Sequence, residues 1–289
     1  MPRTATKPSK GTTVLEFDVD AIKRREREVA RETDEQIYSR LAERFDILTE
    51  MTRAVKTGSV RAMIVSGPPG VGKSFGVEAV LQKDGLFDTL AERKPKFEVV
   101  KGAMSAIGLY AKLYEFSEKG HVVVFDDCDS ILLEDLSLNI LKGALDSSER
   151  RFISWNTDSR LLRSEGIPDR FEFKGAAIFI TNIKFEHVKS KKLRDHLDAL
   201  ESRCHYIDLQ MDTEREKILR IKQVVKDAGM LDRYEFEPVV RDELIEFVEK
   251  NADRLRELSL RMVLKLADLR KSFPTNWTAM AKTTCMKRV

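Results

Sequence analysis

The sequence contains 289 residues, of which 42% are hydrophobic and 34% charged, a composition typical of a water-soluble protein of about two domains. The 51 lysines and arginines nearly balance the 48 aspartates and glutamates, which leaves a net charge of +3. Overall charge therefore gives no reason to expect a nucleic-acid partner, and any basic surface has to be local.

The cysteines, histidines and apolar runs exclude further classes. The three cysteines are widely separated and form no CxxC pair, which argues against a disulfide framework and favours a reducing compartment. The four histidines show no metal-ligand spacing. Residues 1–13 lack the apolar stretch of a secretory signal, and no apolar run approaches the roughly 18 residues of a membrane span. We expect a cytoplasmic protein without membrane contact and with a disordered tail over 1–13.

The first well-specified element is a helix that begins after Thr33. The preceding stretch from Asp18 to about Arg31 is charged and compatible with a helix, but it has few apolar anchors. Thr33 and Gln36 have the spacing of a capping box, and Gly58 ends the periodic segment. The apolar residues between them recur every three or four positions, which places them on one helix face: Ile37, Leu41, Phe45, Leu48 and Met51.

Short apolar runs then alternate with helical stretches up to about Gln210. Continuous apolar strands separated by helices predict a parallel sheet covered on both faces. The predicted strands are Ala62–Val65, Phe97–Val100, Val122–Phe125, Ala177–Ile180 and Tyr206–Leu209. The predicted helices include Lys73–Gln82, Ala106–Phe116 and Leu136–Leu145.

From Thr213 onward the pattern contains helices only. Thr213 and Glu216 form a second capping-box pattern. The helices predicted here are Thr213–Ala228, Val240–Lys250 and Leu258–Lys271. We therefore expect three regions: a basic tail and helical extension over 1–32, an α/β domain over 33–210, and a small helical domain with a short tail over 211–289.

A phosphate-binding loop follows the first predicted strand. The segment from Gly67 to Ser74 matches GxxxxGK[ST], with a strand before it and a helix after it. Its glycines let backbone N–H groups point at phosphate oxygens, and the helix presents its positive end to the same anion. A chance glycine-rich turn is the alternative. The residues expected to bind the nucleotide are Gly67, Pro68, Pro69, Gly70, Val71, Gly72, Lys73, Ser74 and Phe75.

That loop predicts a nucleoside triphosphate with Mg²⁺ as the ligand, and we expect ATP, although the loop alone would also fit kinases and GTPases. Lys73 is expected on the β- and γ-phosphates, and the Ser74 hydroxyl on the metal. Two acids follow the predicted strand Val122–Phe125, at the sheet edge where open α/β sheets bind ligands. We expect Asp126 to hold Mg²⁺, directly or through water, and Asp127 to polarise the attacking water. The alternative is that the two acids simply begin a loop.

Together these segments resemble the AAA+ ATPases over roughly residues 34–272. The phosphate loop is similar to their Walker A motif, and Val122–Asp127 is similar to their Walker B motif. Ala177–Asn182 resembles the sensor 1 strand, which ends in a polar residue. The resemblance implies a P-loop NTPase domain with a five-stranded, mostly parallel sheet and a helical lid. It also implies that Asn182 helps to position the lytic water, whereas a turn asparagine is the alternative.

Two arginines extend the resemblance. Arg203 precedes the last predicted strand, where the family has the arginine finger that reaches a neighbouring subunit's γ-phosphate. It therefore implies a homo-oligomeric ring, unless Arg203 is an ordinary surface residue. Arg261 opens a helix of the lid region and is similar to sensor 2, whose arginine touches the nucleotide. A solvated helix charge is the alternative for Arg261.

One position departs from the family pattern. Walker B usually ends in Asp-Glu, whereas this sequence has Asp126 followed by Asp127. Aspartate is one methylene shorter, so either hydrolysis is slow or a small backbone shift compensates. We expect an active ATPase that hydrolyses ATP to ADP and phosphate. A nucleotide-dependent assembly switch with little turnover is the alternative.

Between Walker B and sensor 1, Arg151–Trp155 and Arg170–Phe173 predict a β-hairpin with a polar connection. It resembles the hairpin that one AAA+ superclade inserts before sensor 1, which often contacts nucleic acid or protein. Acidic residues largely balance its arginines, so a solvated hairpin is the alternative. Arg170 is also a rival candidate for the intersubunit arginine.

Two other segments bear on the substrate. The stretch Lys101–Tyr110 has no aromatic-led tripeptide before Gly108, which disfavours a polypeptide-threading unfoldase. A basic cluster after sensor 1 is either a solvated charge run or a contact for a phosphate backbone; it consists of Lys184, Lys189, Lys191, Lys192 and Arg194. We therefore expect an ATP-driven motor or remodeller that acts on DNA or a replication complex. A protein remodeller of the same fold is the alternative.

Overall fold

The computed structural model describes residues 27–90, 95–185 and 188–288, with the side chains of 84–90 left out of the description. The tail predicted over 1–13 and most of the helix predicted from Asp18 lie outside these residues. Within the described ranges, no helix has the length and apolar character that crossing a membrane requires.

Five strands form one sheet in which all neighbours are parallel. The strands of the protein are β1 (Ala62–Ser66), β2 (Phe97–Lys101), β3 (Val122–Asp126), β4 (Phe152–Ser154), β5 (Arg170–Glu172), β6 (Ala176–Thr181) and β7 (His205–Asp208). The sheet order is β2-β3-β6-β1-β7. The predicted five-stranded sheet is thus confirmed, and the last strand begins one residue earlier than expected. Parallel neighbours bring all carboxyl ends to one edge of the sheet.

Helices before Gln210 cover both faces of this sheet, and those after it form a separate region; the described residues contain eleven α-helices. They are α1 (Asp34–Lys56), α2 (Lys73–Leu90), α3 (Ala106–Glu115), α4 (Ser130–Leu133), α5 (Asp135–Ala144), α6 (Arg160–Ser164), α7 (Lys191–Glu201), α8 (Glu214–Asp227), α9 (Pro238–Lys250), α10 (Leu260–Ser272) and α11 (Trp277–Thr284). The capping boxes predicted at Thr33 and Thr213 are both present. Each satisfies backbone N–H groups that the first turn of a helix leaves unpaired.

The pleat of β3 divides the core between the two faces. Val124 packs with Leu48 of α1 and Val77 of α2 on one face. Phe125 packs with Leu138 of α5 on the other. Every residue of β3 is buried, because successive side chains point to opposite faces and both faces are covered.

The helices after Gln210 have a separate core. Ile221, Leu244, Leu266 and Trp277 belong to it, one residue from each of α8 to α11. A charged contact joins this region to α1, since Arg40 lies 3.0 Å from the fully buried carboxylate of Glu216. That contact places the first turn of α8 beside α1.

The predicted β-hairpin is present as the antiparallel pair β4 and β5, with Phe152 opposite Glu172. The connection contains the short helix α6, where the sequence had indicated only a polar link. The helix forms because Ser159 caps it and Leu162 is buried against the main core. A single apolar residue in a polar segment is too weak a pattern to predict such a helix.

Candidate nucleotide-binding site

The loop after β1 has a backbone that only its glycines allow. Gly70 and Gly72 have φ values of 73° and 103°, in the left-handed region that side chains disfavour. A Cβ on Gly70 would lie 2.7 Å from the Cβ of Ser259, so this glycine also permits close approach of the helical region. The loop therefore combines a curled backbone with a tight contact to the start of α10.

The ammonium of Lys73 is buried at the centre of the site. The residue is 5% exposed, and its Nζ donates to Gly67 O at 2.5 Å, Pro68 O at 2.9 Å and Asn182 Oδ1 at 2.7 Å. Burial lowers the pKa of Lys73 to about 8, an effect that the charges of Asp127 and Asp126 partly offset. All three hydrogen-bond acceptors are neutral, so none of them compensates the charge of the buried ammonium.

Ser74 and Asp126 meet beside this lysine. Ser74 is in the first turn of α2 and Asp126 is the last residue of β3, and Ser74 Oγ donates to Asp126 Oδ1 at 2.8 Å. A hydroxyl and a carboxylate are the oxygen donors that Mg²⁺ uses together with substrate phosphates. Within the described ranges no group of three or more His, Cys, Asp or Glu side chains could hold a metal. The chemistry of the Ser74–Asp126 pair itself fits Mg²⁺, which is commonly held by one or two protein groups together with substrate phosphates.

Asp127 and Asn182 are connected across the sheet edge. Asn182 follows β6, and its Nδ2 donates to Asp127 Oδ1 at 2.9 Å, while its Oδ1 accepts from Lys73. Asp127 has a φ of 54°, and its backbone N–H donates to Ile180 O at 3.0 Å. Aspartate tolerates this left-handed conformation better than most residues. The local backbone thus departs from regular geometry at the position where this sequence has the shorter acid.

Arg261 lies over the loop from the helical region. Ser259 caps α10, and the N–H of Leu260 donates to Gly70 O at 2.8 Å. The Cγ of Arg261 would lie 3.7 Å from a Cβ on Gly70, and the positive charge of Arg261 further lowers the pKa of Lys73. The structure therefore brings Arg261 to the same loop as Lys73.

Two predicted site residues are not part of the contacts described above: Arg203 lies away from the phosphate loop, and Phe75 faces solvent. Arg203 precedes β7 at the amino edge of the sheet, away from the loop, and its side chain donates to Ala199 O at 2.5 Å. Among the residues that the structure describes, its buried Nε has no hydrogen-bond partner. Phe75 is in the first turn of α2 and is 69% exposed.

Two residues at the site were not singled out from the sequence. The guanidinium of Arg220 in α8 lies 3.3 Å from the ring centroid of Phe45 and its Nε 3.5 Å from Val71 O; burial lowers the pKa of Arg220 to about 10. Lys101 at the end of β2 lies beside Asp126. Arg220 belongs to no local motif. Lys101 could have been found only from the register of β2 against β3.

The fold and the loop define the class: an α/β protein with a five-stranded parallel sheet flanked by helices and a phosphate-loop sequence at the carboxyl edge. No protein-family model matches the chain. A protein of Enterobacteria phage T4, described as the uncharacterized 36.7 kDa protein in the nrdC-mobD intergenic region, is 32% identical over 276 residues, covering 94% of this chain and 82% of the phage T4 protein. The chain belongs to the family of this phage T4 protein.

Solved structures with similar folds are more distant. Domain III of the Thermotoga maritima replication initiation protein DnaA has a TM-score of 0.47 at 14% identity, covering 84% of this chain and 91% of that one. The structure of DnaA bound to AMPPCP and single-stranded DNA has a TM-score of 0.45 at 14% identity, covering 82% of this chain and 63% of that one. The structure of NtrX from Brucella abortus in complex with ATP has a TM-score of 0.45 at 10% identity, covering 93% of this chain and 59% of that one. The chain therefore spans less than two thirds of the last two proteins.

We predict that ATP binding to this site depends on pH through Lys73. A bound phosphate favours the charged ammonium and so raises its pKa. Below the value of about 8 the ammonium is charged before binding, and affinity is constant. Above it, binding requires proton uptake, and affinity falls towards about tenfold per pH unit. Equilibrium binding in EDTA between about pH 7 and about pH 9.5 measures this.

The matched variant is Lys73→Arg, whose guanidinium stays charged throughout that range. Its affinity for ATP is expected to stay level as the pH rises. A wild-type profile as level as that of the arginine variant contradicts the assignment of Lys73.

Proposed function

We propose that this protein is an AAA+ ATPase that binds ATP with Mg²⁺ and hydrolyses it to ADP and phosphate. The observation that carries the proposal is the hydrogen-bonded series Lys73–Asn182–Asp127 beside the Ser74–Asp126 pair. These residues lie together at one edge of the sheet. They provide a cation that can bind phosphate, oxygen atoms that can bind a metal, and an accessible carboxylate that can accept a proton from water.

Each part of the series has a role in this proposal. The loop N–H groups and Lys73 bind the phosphates. Ser74 and Asp126 hold Mg²⁺, which offsets negative charge on the phosphate oxygens. Arg261 approaches the phosphates from the helical side. Residues 33–210 are then the nucleotide-binding domain and 211–289 the lid, with 1–32 as an extension, and the Leu260–Gly70 hydrogen bond couples lid to loop.

Asp127 acts as the general base in this scheme. Its carboxylate is solvent-accessible and is oriented by the amide of Asn182. Water attacks the γ-phosphorus, its proton passes to Asp127, and the bond from that phosphorus to the bridging oxygen breaks to release ADP. A correctly placed carboxylate contributes about 10²- to 10⁴-fold to such a step.

We predict that Asp127→Asn lowers the rate of ATP hydrolysis about a hundredfold or more and leaves ATP affinity within about threefold. Asparagine keeps the shape of the side chain and tolerates the same backbone conformation, so the change isolates the carboxylate charge. Phosphate release and equilibrium binding measure the two quantities.

The matched control is Asp129→Asn, a neighbouring acid that accepts its hydrogen bond from Thr181 instead of Asn182. It is expected to keep turnover. Loss of turnover in the Asp129 variant alone assigns the base to Asp129 and contradicts the role of Asp127. A wild-type protein that binds ATP without hydrolysing it supports the alternative, a nucleotide-dependent assembly switch.

We further infer that the protein acts as a homo-oligomeric ring in which Arg203 reaches the neighbouring site. Arg203 lies at the amino edge of the sheet, before β7. The phosphate loop of its own chain follows β1 at the carboxyl edge, so the length of the strands separates Arg203 from that loop. Among the described residues its buried Nε has no hydrogen-bond partner, and a phosphate oxygen of a neighbouring subunit would satisfy this donor if the side chain turned outward in the assembly. Such an arginine offsets charge on the transferred phosphoryl group.

We predict that Arg203→Ala and Asp127→Asn complement each other. Each variant alone loses turnover, whereas a one-to-one mixture recovers about a quarter of the wild-type rate, because about a quarter of head-to-tail interfaces then pair an intact site with an intact arginine. Steady-state hydrolysis after mixing and reassembly measures the recovery. A mixture as inactive as its components contradicts the assignment, and Arg170→Ala in the same assay tests the rival arginine.

The hairpin favours DNA as the substrate of the motor. Phe152 is 38% exposed, and the guanidinium carbons of Arg150 and Arg170 lie 4.9 Å and 4.4 Å from its ring centroid. An exposed aromatic ring with flanking cations suits stacking on single-stranded bases. The basic cluster after sensor 1 is less suited, since Lys184 and Lys192 are paired with Asp212 and Asp135 in this chain.

We predict that single-stranded DNA stimulates ATP hydrolysis and that Phe152→Ala weakens this effect. Stacking of one base on an aromatic ring contributes about 1–3 kcal/mol, so the DNA concentration for half-maximal stimulation should rise about tenfold. Phe273→Ala, at a similarly exposed phenylalanine of the helical region, is the matched control. Stimulation by a protein partner alone, with none by DNA, favours the protein-remodelling alternative.

A further inference from the structure

The register of the sheet places a lysine beside the acid of the proposed metal site. In the parallel pair of β2 and β3, Lys101 is the partner of Asp126. Lys101 Nζ lies 3.5 Å from Asp126 Oδ2, and Ser74 donates to the other oxygen, Oδ1. Because the pairing is set by backbone hydrogen bonds, the Cα atoms of Lys101 and Asp126 stay adjacent and the ammonium remains within reach of this carboxylate.

A second acid holds the same lysine from α2. Lys101 Nζ donates to Glu78 Oε1 at 2.7 Å, a shorter contact than the one to Asp126. Glu78 is four residues after Ser74 in α2, so both side chains lie on one face of the helix. Ser74, Asp126, Lys101 and Glu78 thus form a continuous set of contacts from the metal donors to the helix surface.

Lys101 and Glu78 have opposite electrostatic effects on a cation bound at Asp126. A divalent cation bound by Asp126 is repelled by an ammonium a few ångströms away and is attracted by the carboxylate of Glu78. Asp126 has a side chain only 7% exposed, and Glu78 is 25% exposed, so solvent screens these interactions incompletely. Lys101 is 58% exposed, so it can shift between the two acids at little cost in packing.

We propose that Lys101 is a positioning residue that sets the affinity of the Ser74–Asp126 pair for a divalent cation. It competes with the cation for Asp126, and Glu78 limits this competition by holding the ammonium away. Lys101 touches neither the nucleotide nor the metal in this role. The inference rests on the proposed function, because it concerns the Mg²⁺ that accompanies ATP.

The experiment is a Mg²⁺ titration of the binding of a fluorescent ATP analogue to the full chain. Lys101→Gln is expected to lower the Mg²⁺ concentration for half-maximal response about three- to tenfold, and Glu78→Gln to raise it by a similar factor. Lys101→Arg keeps the charge and should restore the wild-type value. Binding of Mg²⁺ by the analogue in solution is the same for all variants and cancels in the ratios.

Two further variants separate this role from general electrostatics. In the Lys101→Gln background, Glu78→Gln should have a much smaller effect, because its influence passes through the lysine. Lys119→Gln removes an exposed lysine elsewhere and should leave the Mg²⁺ dependence unchanged. Binding measured in EDTA should be alike in wild type and Lys101→Gln.

The outcomes distinguish this inference from the proposed function. A wild-type protein whose nucleotide binding ignores Mg²⁺ overturns both. A Mg²⁺-dependent wild type with an unchanged or raised requirement in Lys101→Gln overturns the inference alone. An equal effect of Glu78→Gln with and without Lys101 overturns the role given to Glu78. Lys101→Met provides a second neutral variant should the glutamine variant fold poorly.

Discussion

The buried ammonium of Lys73 is the interaction on which the site depends. It is 5% exposed, and its hydrogen bonds within the described part of the chain go to neutral oxygens of Gly67, Pro68 and Asn182. Burial of a cation without a bonded carboxylate is costly, and the lowered pKa of Lys73 expresses that cost. In the proposed function an arriving polyphosphate offsets that cost, and the ammonium is already in place before the anion binds.

The parallel sheet makes this arrangement possible. β1, β3 and β6 are central strands with every residue buried, so their ends are held rigidly by packing on both faces. Those three carboxyl ends lead into the phosphate loop, Asp127 and Asn182. The fourth contribution, Arg261, comes from a region with its own core that touches the loop through Leu260 and Gly70. Motion of that region relative to the sheet would therefore displace the phosphate loop.

The sequence predicted those parts of the molecule that local patterns encode. Strand, loop and helix around Lys73 follow from apolar runs and glycine spacing, and capping at Thr33 follows from two residues three positions apart. The contacts of Lys101 with Asp126 and of Arg220 with Phe45 could not be predicted, because they depend on strand register and on packing between distant helices. The left-handed backbone at Asp127 was foreseen only as a possible shift, since nothing local distinguishes it from regular geometry.

The most direct test of the central claim is a crystal structure with a non-hydrolysable ATP analogue and Mg²⁺. We expect the phosphates in the loop, with Lys73 Nζ turned from the carbonyls of Gly67 and Pro68 onto phosphate oxygens and the metal beside Ser74 and Asp126. A nucleotide bound elsewhere, or a Lys73 ammonium that keeps its present carbonyl partners while the phosphates lie outside the loop, would contradict the account.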